Sequence, residues 1–156
     1  MLPHRIVIRA ANLDDLADLT RLYVAYRVFY GERPAEAAAE EFIRERVSSR
    51  AGKYFLAWGS DGDPTEPVAF MHLMPSTNTL AMRPIWLLED LYVEPAARKQ
   101  GIASSLLEEA EVFARSTGAE RITLSTAHDN EAAQSIYRKL GYVREDHFRY
   151  FHRVLW

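Results

Sequence analysis

In EPAARKQGIASSLLEEAEVFARSTG, residues 94–118, Arg98, Lys99 and Gly101 stand just where an amphipathic helix opens. A helix N-terminus carries unpaired N–H groups and partial positive charge. Cations added there imply an anion, and phosphate is the usual occupant of such a terminus. Gly101 lets a ligand approach the backbone closely because it has no Cβ, and Ala103 keeps the first turn small. The same residues also fit a plain turn glycine in a solvated basic loop. The nucleotide-binding patterns G-x-x-x-x-G-K-[ST] and G-x-G-x-x-G are absent from the chain.

Two further stretches carry chemistry. In DNEAAQSIYRKLGY, Asn130, Ala133 and Tyr137 are spaced i, i+3 and i+7 and share one helix face. That face offers an amide, a small residue and a phenol, along which a slender ligand could lie. The alternative is that Asn130 is a cap and Tyr137 a core aromatic. In WLLEDLYVEP, Glu89 and Asp90 interrupt an apolar strand. Successive strand residues point to opposite faces, so one carboxylate faces inward or lines a cleft unless a bulge intervenes. It then needs a partner or solvent, and an arginine ion pair is the structural alternative.

These residues need elements to hold them. RIVIRA (5–10) alternates as a strand, Asn12 and Asp15 form a capping-box start, and a helix follows over 13–29, ending at Gly31. Its apolar positions are Leu16, Leu19, Leu22, Tyr23, Tyr26 and Phe29, with Tyr23 and Phe29 assigned to the core. A second helix is predicted over 35–49 and strands over 53–59 and 68–74, around a turn cluster at 60–67. Residues 76–84 read as a loop or edge segment and 85–93 as the longest strand. The helix opening at Gly101 buries Ile102, Leu106, Leu107, Ala110, Phe113 and Ala114 and ends at Gly118. A strand at 121–126, a helix at 129–141 and strands at 142–146 and 148–156 complete the chain. The order predicts one α/β domain over 1–156: a mixed sheet of about seven strands with about four helices on both faces.

Composition narrows the function classes. Apolar residues are 48% and charged residues 26%, as in a soluble globular domain, and the net charge of −3 argues against a nucleic-acid partner. With no cysteine, thiolate metal sites and a cysteine nucleophile are excluded. The histidines at 4, 72, 128, 147 and 152 have no metal-ligand spacing, so no metal is expected. No apolar run could span a bilayer, and MLPHRIVIRA is too short and polar for a secretory signal, so the expected location is cytoplasmic, with no membrane partner.

Together the three stretches resemble the GCN5-related N-acetyltransferase (GNAT) family. Arg98, Gly101 and Ala103 match its R-x-x-G-x-G/A loop, with Val93 and Pro95 leading in. Asn130, Ala133, Ile136, Tyr137, Gly141 and Tyr142 match its N-x-x-A-x-x-[LI]-Y-x-x-x-G-[FY] motif. The resemblance implies a mostly antiparallel sheet splayed between 85–93 and 120–126, and acetyl-CoA as co-substrate. It implies that the amides of Lys99, Gln100, Gly101, Ile102, Ala103 and Ser104 cradle the pyrophosphate, with Arg98 nearby. The backbone of Leu91, Tyr92 and Val93 would pair with the pantetheine arm, Asn130 and Ala133 would flank it, and Tyr137 would sit near the thioester sulfur. LLEDLYVEP is similar to the spermidine/spermine acetyltransferase branch, which implies Glu89 as base and Asp90 as acceptor ligand. Tyr26, Tyr30 and Glu32 offer aromatic faces and charge suited to a cationic amine. The expected acceptor is a small primary amine, a polyamine or amino-acid-like amine. The alternatives are a protein lysine or N-terminus, or a coenzyme-A-binding module without turnover. The apolar tail FRYFHRVLW is either an inner strand or part of a homodimer interface.

Overall fold

The computed structural model describes residues 5–60, 63 and 65–156. His4, and Asp61, Gly62 and Pro64 of the expected turn cluster, lie outside the described residues. The chain divides into two compact units, Met1–Ser125 and Thr126–Trp156.

In the first unit, β1 (Val7–Ala10) leads into a capping box. The Asn12 side chain accepts the Asp14 N–H at 2.8 Å, and the Asp15 carboxylate accepts the Asn12 N–H at 2.9 Å. Arg9 grips Asp15 through two bonds of 2.7 and 2.8 Å and holds its carboxyl below the ordinary carboxylate range. One turn of 3-10 helix then opens α1 (Leu16–Phe29), and Gly31 ends it at φ +84°. Next come α2 (Glu36–Ser48), β2 (Lys53–Trp58), β3 (Ala69–Asn78) and β4 (Arg83–Val93). After these follow α3 (Ile102–Ser116) and β5 (Ile122–Leu124).

The sheet order is β1-β2-β3-β4-β5, antiparallel except for the parallel β4–β5 pair. Tyr54, Leu56, Phe70 and Tyr92 form one core with Leu19 and Leu22 of α1 and Ile43 of α2. Phe55, between Tyr54 and Leu56, points to the other face and meets Phe113 of α3 at 5.5 Å. Helices thus cover both faces. The segment 76–84 corrects the sequence reading: β3 and β4 pair as far as Asn78 and Arg83, so only residues 79–82 are loop.

The β3–β4 ladder slips once. His72 faces Asp90 and Leu73 faces Leu88, so Glu89 is a bulge residue with no opposite number. The β4–β5 ladder spans Trp86–Leu88 and ends where the bulge begins. A bulge bends and twists its strand, which parts β4 from β5 at that point. Among the described residues, β4 from Glu89 to Val93 is bonded to β3 on one edge and has no strand on the other, which is the expected splay.

The second unit contains α4 (Glu131–Lys139), capped by Asn130 and followed by Gly141 at φ +91°. The strands expected at 142–146 and 148–156 are not formed, so the described sheet has five strands, not seven. Strand propensity expresses itself only against a neighbour that completes the ladder. Phe148, Tyr150, Phe151, Val154, Leu155 and Trp156 are all exposed. Among the described residues no helix is long and apolar enough to cross a membrane.

Candidate active site

The glycine loop is anchored to the end of β4. The Glu94 N–H donates to the Val68 carbonyl at 2.9 Å, and Arg21 pairs with Glu94 while donating to the Pro67 carbonyl at 2.7 Å. A single 3-10 turn, Pro95–Ala97, redirects the chain. Arg98 then reaches back, its Nε donating to the Val93 carbonyl at 2.9 Å and its guanidinium lying 5.0 Å from the Phe29 ring and 5.7 Å from Tyr92. Arg98 therefore ties the loop to β4, whereas exposed Lys99 has no such bond among the described residues.

Lys99 and Gly101 both adopt left-handed backbone, at φ +64° and +83°. That region costs a non-glycine residue roughly 1–2 kcal/mol, so Lys99 carries a strained backbone at the entry to α3. Gly101 is the N-cap of α3 and supplies no side-chain cap. Its carbonyl accepts the Ser105 N–H at 3.0 Å, and the N–H groups of Ile102, Ala103 and Ser104 open the helix without intrahelical partners. A Cβ built on Gly101 would meet nothing within 4 Å. Open space, uncapped amides and the positive end of a 15-residue helix fit a diphosphate.

The second feature of this unit is an array around Asp90. The bulge leaves Glu89 exposed and Asp90 half-buried, opposite His72. His72 Nδ1 lies 2.8 Å from Asp90 Oδ2. The partner of the interrupting carboxylate is thus a histidine, not the arginine considered from the sequence. Tyr26 stands close enough to feel Asp90, and burial, with Asp90's charge, pushes the Tyr26 phenol well above its ordinary value. Tyr26 meets Tyr30 at 5.0 Å and Tyr92 at 6.2 Å, and Phe29 meets Tyr92 at 6.2 Å. These rings connect Asp90 with Arg98 and its loop.

Tyr30 is exposed at the C-terminal end of α1, and Glu32 lies exposed in the turn beyond it. Tyr23 packs on Phe42 and Phe70 as a core residue. Phe29 is 57% exposed, which corrects its assignment to the core: it ends α1 and serves as the platform for Arg98. The side chain of Tyr92 is buried against α1, and Leu91 is half-buried on the unpaired stretch of β4. The residue that sequence reasoning missed is His72. Its signal was a single polar residue in the apolar run AFMHLM, on the strand preceding the one that carries Glu89 and Asp90.

In the second unit, Asn130 Oδ1 accepts the Ala133 N–H at 3.2 Å and so caps α4. Ala133 and Tyr137 are half-buried, and the Tyr137 ring lies 5.9 Å from that of Tyr142.

The chain resembles known proteins. Residues 16–142 match the acetyltransferase (GNAT) family. The chain is 32% identical over 144 residues to the uncharacterized N-acetyltransferase YhfO of Bacillus subtilis (strain 168), covering 92% of this chain and 94% of YhfO. It is 33% identical over 72 residues to an aminoglycoside N(6')-acetyltransferase type 1 of Acinetobacter haemolyticus, covering 46% and 50% of the two chains. The crystal structure of a probable acetyltransferase, 34% identical, superposes with a TM-score of 0.86 over 97% of both chains. A family match from α1 to the end of α4, with relatives aligned over almost the whole length, establishes that the chain belongs to the GNAT family and is an N-acetyltransferase.

Proposed function

We propose that residues 1–156 form one catalytic domain that transfers the acetyl group of acetyl-CoA directly to a primary amine of a small cationic acceptor, such as a polyamine or an amino-acid-like amine. The observation that carries this reading is the uncapped N-terminus of α3, entered through left-handed Lys99 and Gly101, beside the unpaired edge of β4. The amides of residues 99–104 would hold the pyrophosphate, and the backbone of Leu91, Tyr92 and Val93 the pantetheine arm. Asn130 and Ala133 would flank that arm, as their match to the family motif implies. The co-substrate supplies an activated acetyl group as a thioester. Asp90, with Tyr26, Tyr30 and Glu32, would receive the ammonium; the aromatic faces and carboxylates suit a cation.

An alkyl ammonium of pKa ~10.4 must lose a proton before attack, at a cost of roughly 4–5 kcal/mol at pH 7. Glu89, exposed by the bulge, takes that proton through a water. The neutral nitrogen then bonds to the acetyl carbon. A backbone N–H on the unpaired stretch of β4 donates to the carbonyl oxygen as it gains charge. The carbon–sulfur bond breaks; Tyr137, by its match to the family motif, would protonate the departing thiolate, and the second proton of the former ammonium, released from the acylated nitrogen, would return through solvent to the phenol. No cysteine is present to form an acyl-enzyme, which favours direct transfer.

The same absence makes the test clean, because any thiol that appears comes from the co-substrate. Thiol release across polyamines, amino acids, aminoglycosides and lysine peptides is expected with a small polyamine or amino-acid-like amine. Release with lysine peptides alone would replace the small-molecule reading by a protein acceptor. The reading includes a cytoplasmic location and a homodimer. The dimer is supported by the exposed apolar tail Phe148–Trp156. Light scattering is expected to give twice the chain mass for the full chain and the monomer mass after removal of residues 147–156; a monomeric full chain would end the dimer proposal.

A further inference from the structure

The geometry points to His72 as a positioning residue that aims the Asp90 carboxylate at the acceptor's ammonium. This rests on the reading of Asp90 as an acceptor ligand.

His72 is 4% exposed, and its ring lies flat on Tyr54, with centroids 4.3 Å apart and planes 8° from parallel. Arg46 Nη2 of α2 stands 3.4 Å from His72 Nε2. A guanidinium only donates, so Nε2 is the accepting nitrogen and the ring hydrogen resides on Nδ1. Nδ1–H then donates to Asp90 Oδ2 at 2.8 Å. The Tyr26 phenol, raised by burial and by the Asp90 charge, faces the same carboxylate. Tyr54 is part of the same wall: burial pushes its phenol up to about 12, so it is neutral at physiological pH, with Arg46 and Tyr23 also facing it.

The His72 ring is the observed hydrogen-bond partner of Asp90. Among the described residues no lysine or arginine pairs with Asp90, and its side chain is 22% exposed. The carboxylate is therefore held from the His72 side, has no lysine or arginine partner among the described residues, and stays within reach of solvent. A cationic ligand supplies the missing half, and a primary ammonium has the size and donors to do so. In a regular antiparallel ladder, Glu89 would face His72; the bulge puts Asp90 there instead and leaves Glu89 exposed. Gly52 completes the arrangement. A Cβ at that position would lie 2.2 Å from His72 Nε2 and 2.7 Å from Cδ2, and the ring, stacked on Tyr54, has no room to give.

The experiment compares His72→Leu, His72→Asn and Gly52→Ala with the parent enzyme, using thiol release with the acceptor that the panel identifies. His72→Leu is expected to raise the acceptor KM roughly 10- to 100-fold, the effect of losing one hydrogen bond to a charged group. Its acetyl-CoA KM should stay within about twofold, which also reports an intact fold. His72→Asn should recover most of the loss, since its amide nitrogen can donate from near the Nδ1 position. Gly52→Ala should reproduce the leucine phenotype with His72 still in the chain. Long-range proton–nitrogen NMR of the parent enzyme should show His72 protonated at Nδ1 and bare at Nε2. An unchanged acceptor KM in His72→Leu, or the opposite tautomer, overturns the inference. Absence of thiol release from the parent enzyme with every amine would instead overturn the functional reading, while the tautomer still tests the His72–Asp90 pair.

Discussion

Gly101→Val is expected to weaken acetyl-CoA binding roughly 10- to 100-fold, the equivalent of one or two charge-assisted hydrogen bonds. Two effects act together. Gly101 sits at φ +83°, where a β-branched residue is strained, so the loop would relax away from the conformation that aims its amides outward. The new side chain would also occupy the space beside the N-terminus of α3. Among the described residues a Cβ there meets nothing within 4 Å beyond its own chain neighbours, so the added side chain enters open space that the ligand would need. The cost to the fold is the backbone strain, about 1–2 kcal/mol, or a few degrees in melting temperature. Gly101→Ala should fall between the parent and the valine variant. Calorimetry with acetyl-CoA, beside thermal unfolding, separates the two terms. A valine variant with unchanged Kd would show that the diphosphate does not bind at this helix start.

Tyr137→Phe is expected to lower kcat by ~100- to 1,000-fold, the usual range for loss of a positioned general acid, with acetyl-CoA affinity nearly unchanged. Phenylalanine keeps the ring and its contact with Tyr142 at 5.9 Å, so the variant isolates the hydroxyl. The pH profile distinguishes an acid from a packing residue. A phenol that donates its proton works only while protonated, so the parent enzyme should lose rate as pH rises through the phenol's range. The variant should show no such limb. An acyl donor whose thiol is already a good leaving group should suffer less, because its thiolate needs no proton. Unchanged turnover in a folded Tyr137→Phe protein would remove Tyr137 from the mechanism.

The residues at issue differ in how far they could be read before the fold was known. Gly101 was legible because its signal is local: a turn after an apolar strand, a glycine, and then a helical period. Asn130 was legible as a cap for the same reason, and the structure uses its Oδ1 in that way. Asp15 three positions after Asn12 announced the capping box that opens α1. Glu89 and Asp90 were legible only as a pair of carboxylates on one strand. Which of them faces a partner depended on a bulge, and a bulge is a property of two strands in register. Phe29 fitted the apolar stripe of α1 yet lies exposed under Arg98, because the stripe outruns the core at the helix end. The tail 148–156 has the composition of a strand, but a ladder partner is not encoded in the strand that seeks it.

By itself, the amino-acid order of this protein determined the helices, the first strands, their caps and the glycine-opened start of α3. Each of these is set by interactions among residues a few positions apart. Tertiary structure alone decided that His72, 18 positions before Asp90, is its partner, that Gly52 must be small to admit the imidazole, and that β4 parts from β5 at the bulge. Those outcomes depend on register between distant strands, where a shift of one residue exchanges the two carboxylates and with them the chemistry each can perform.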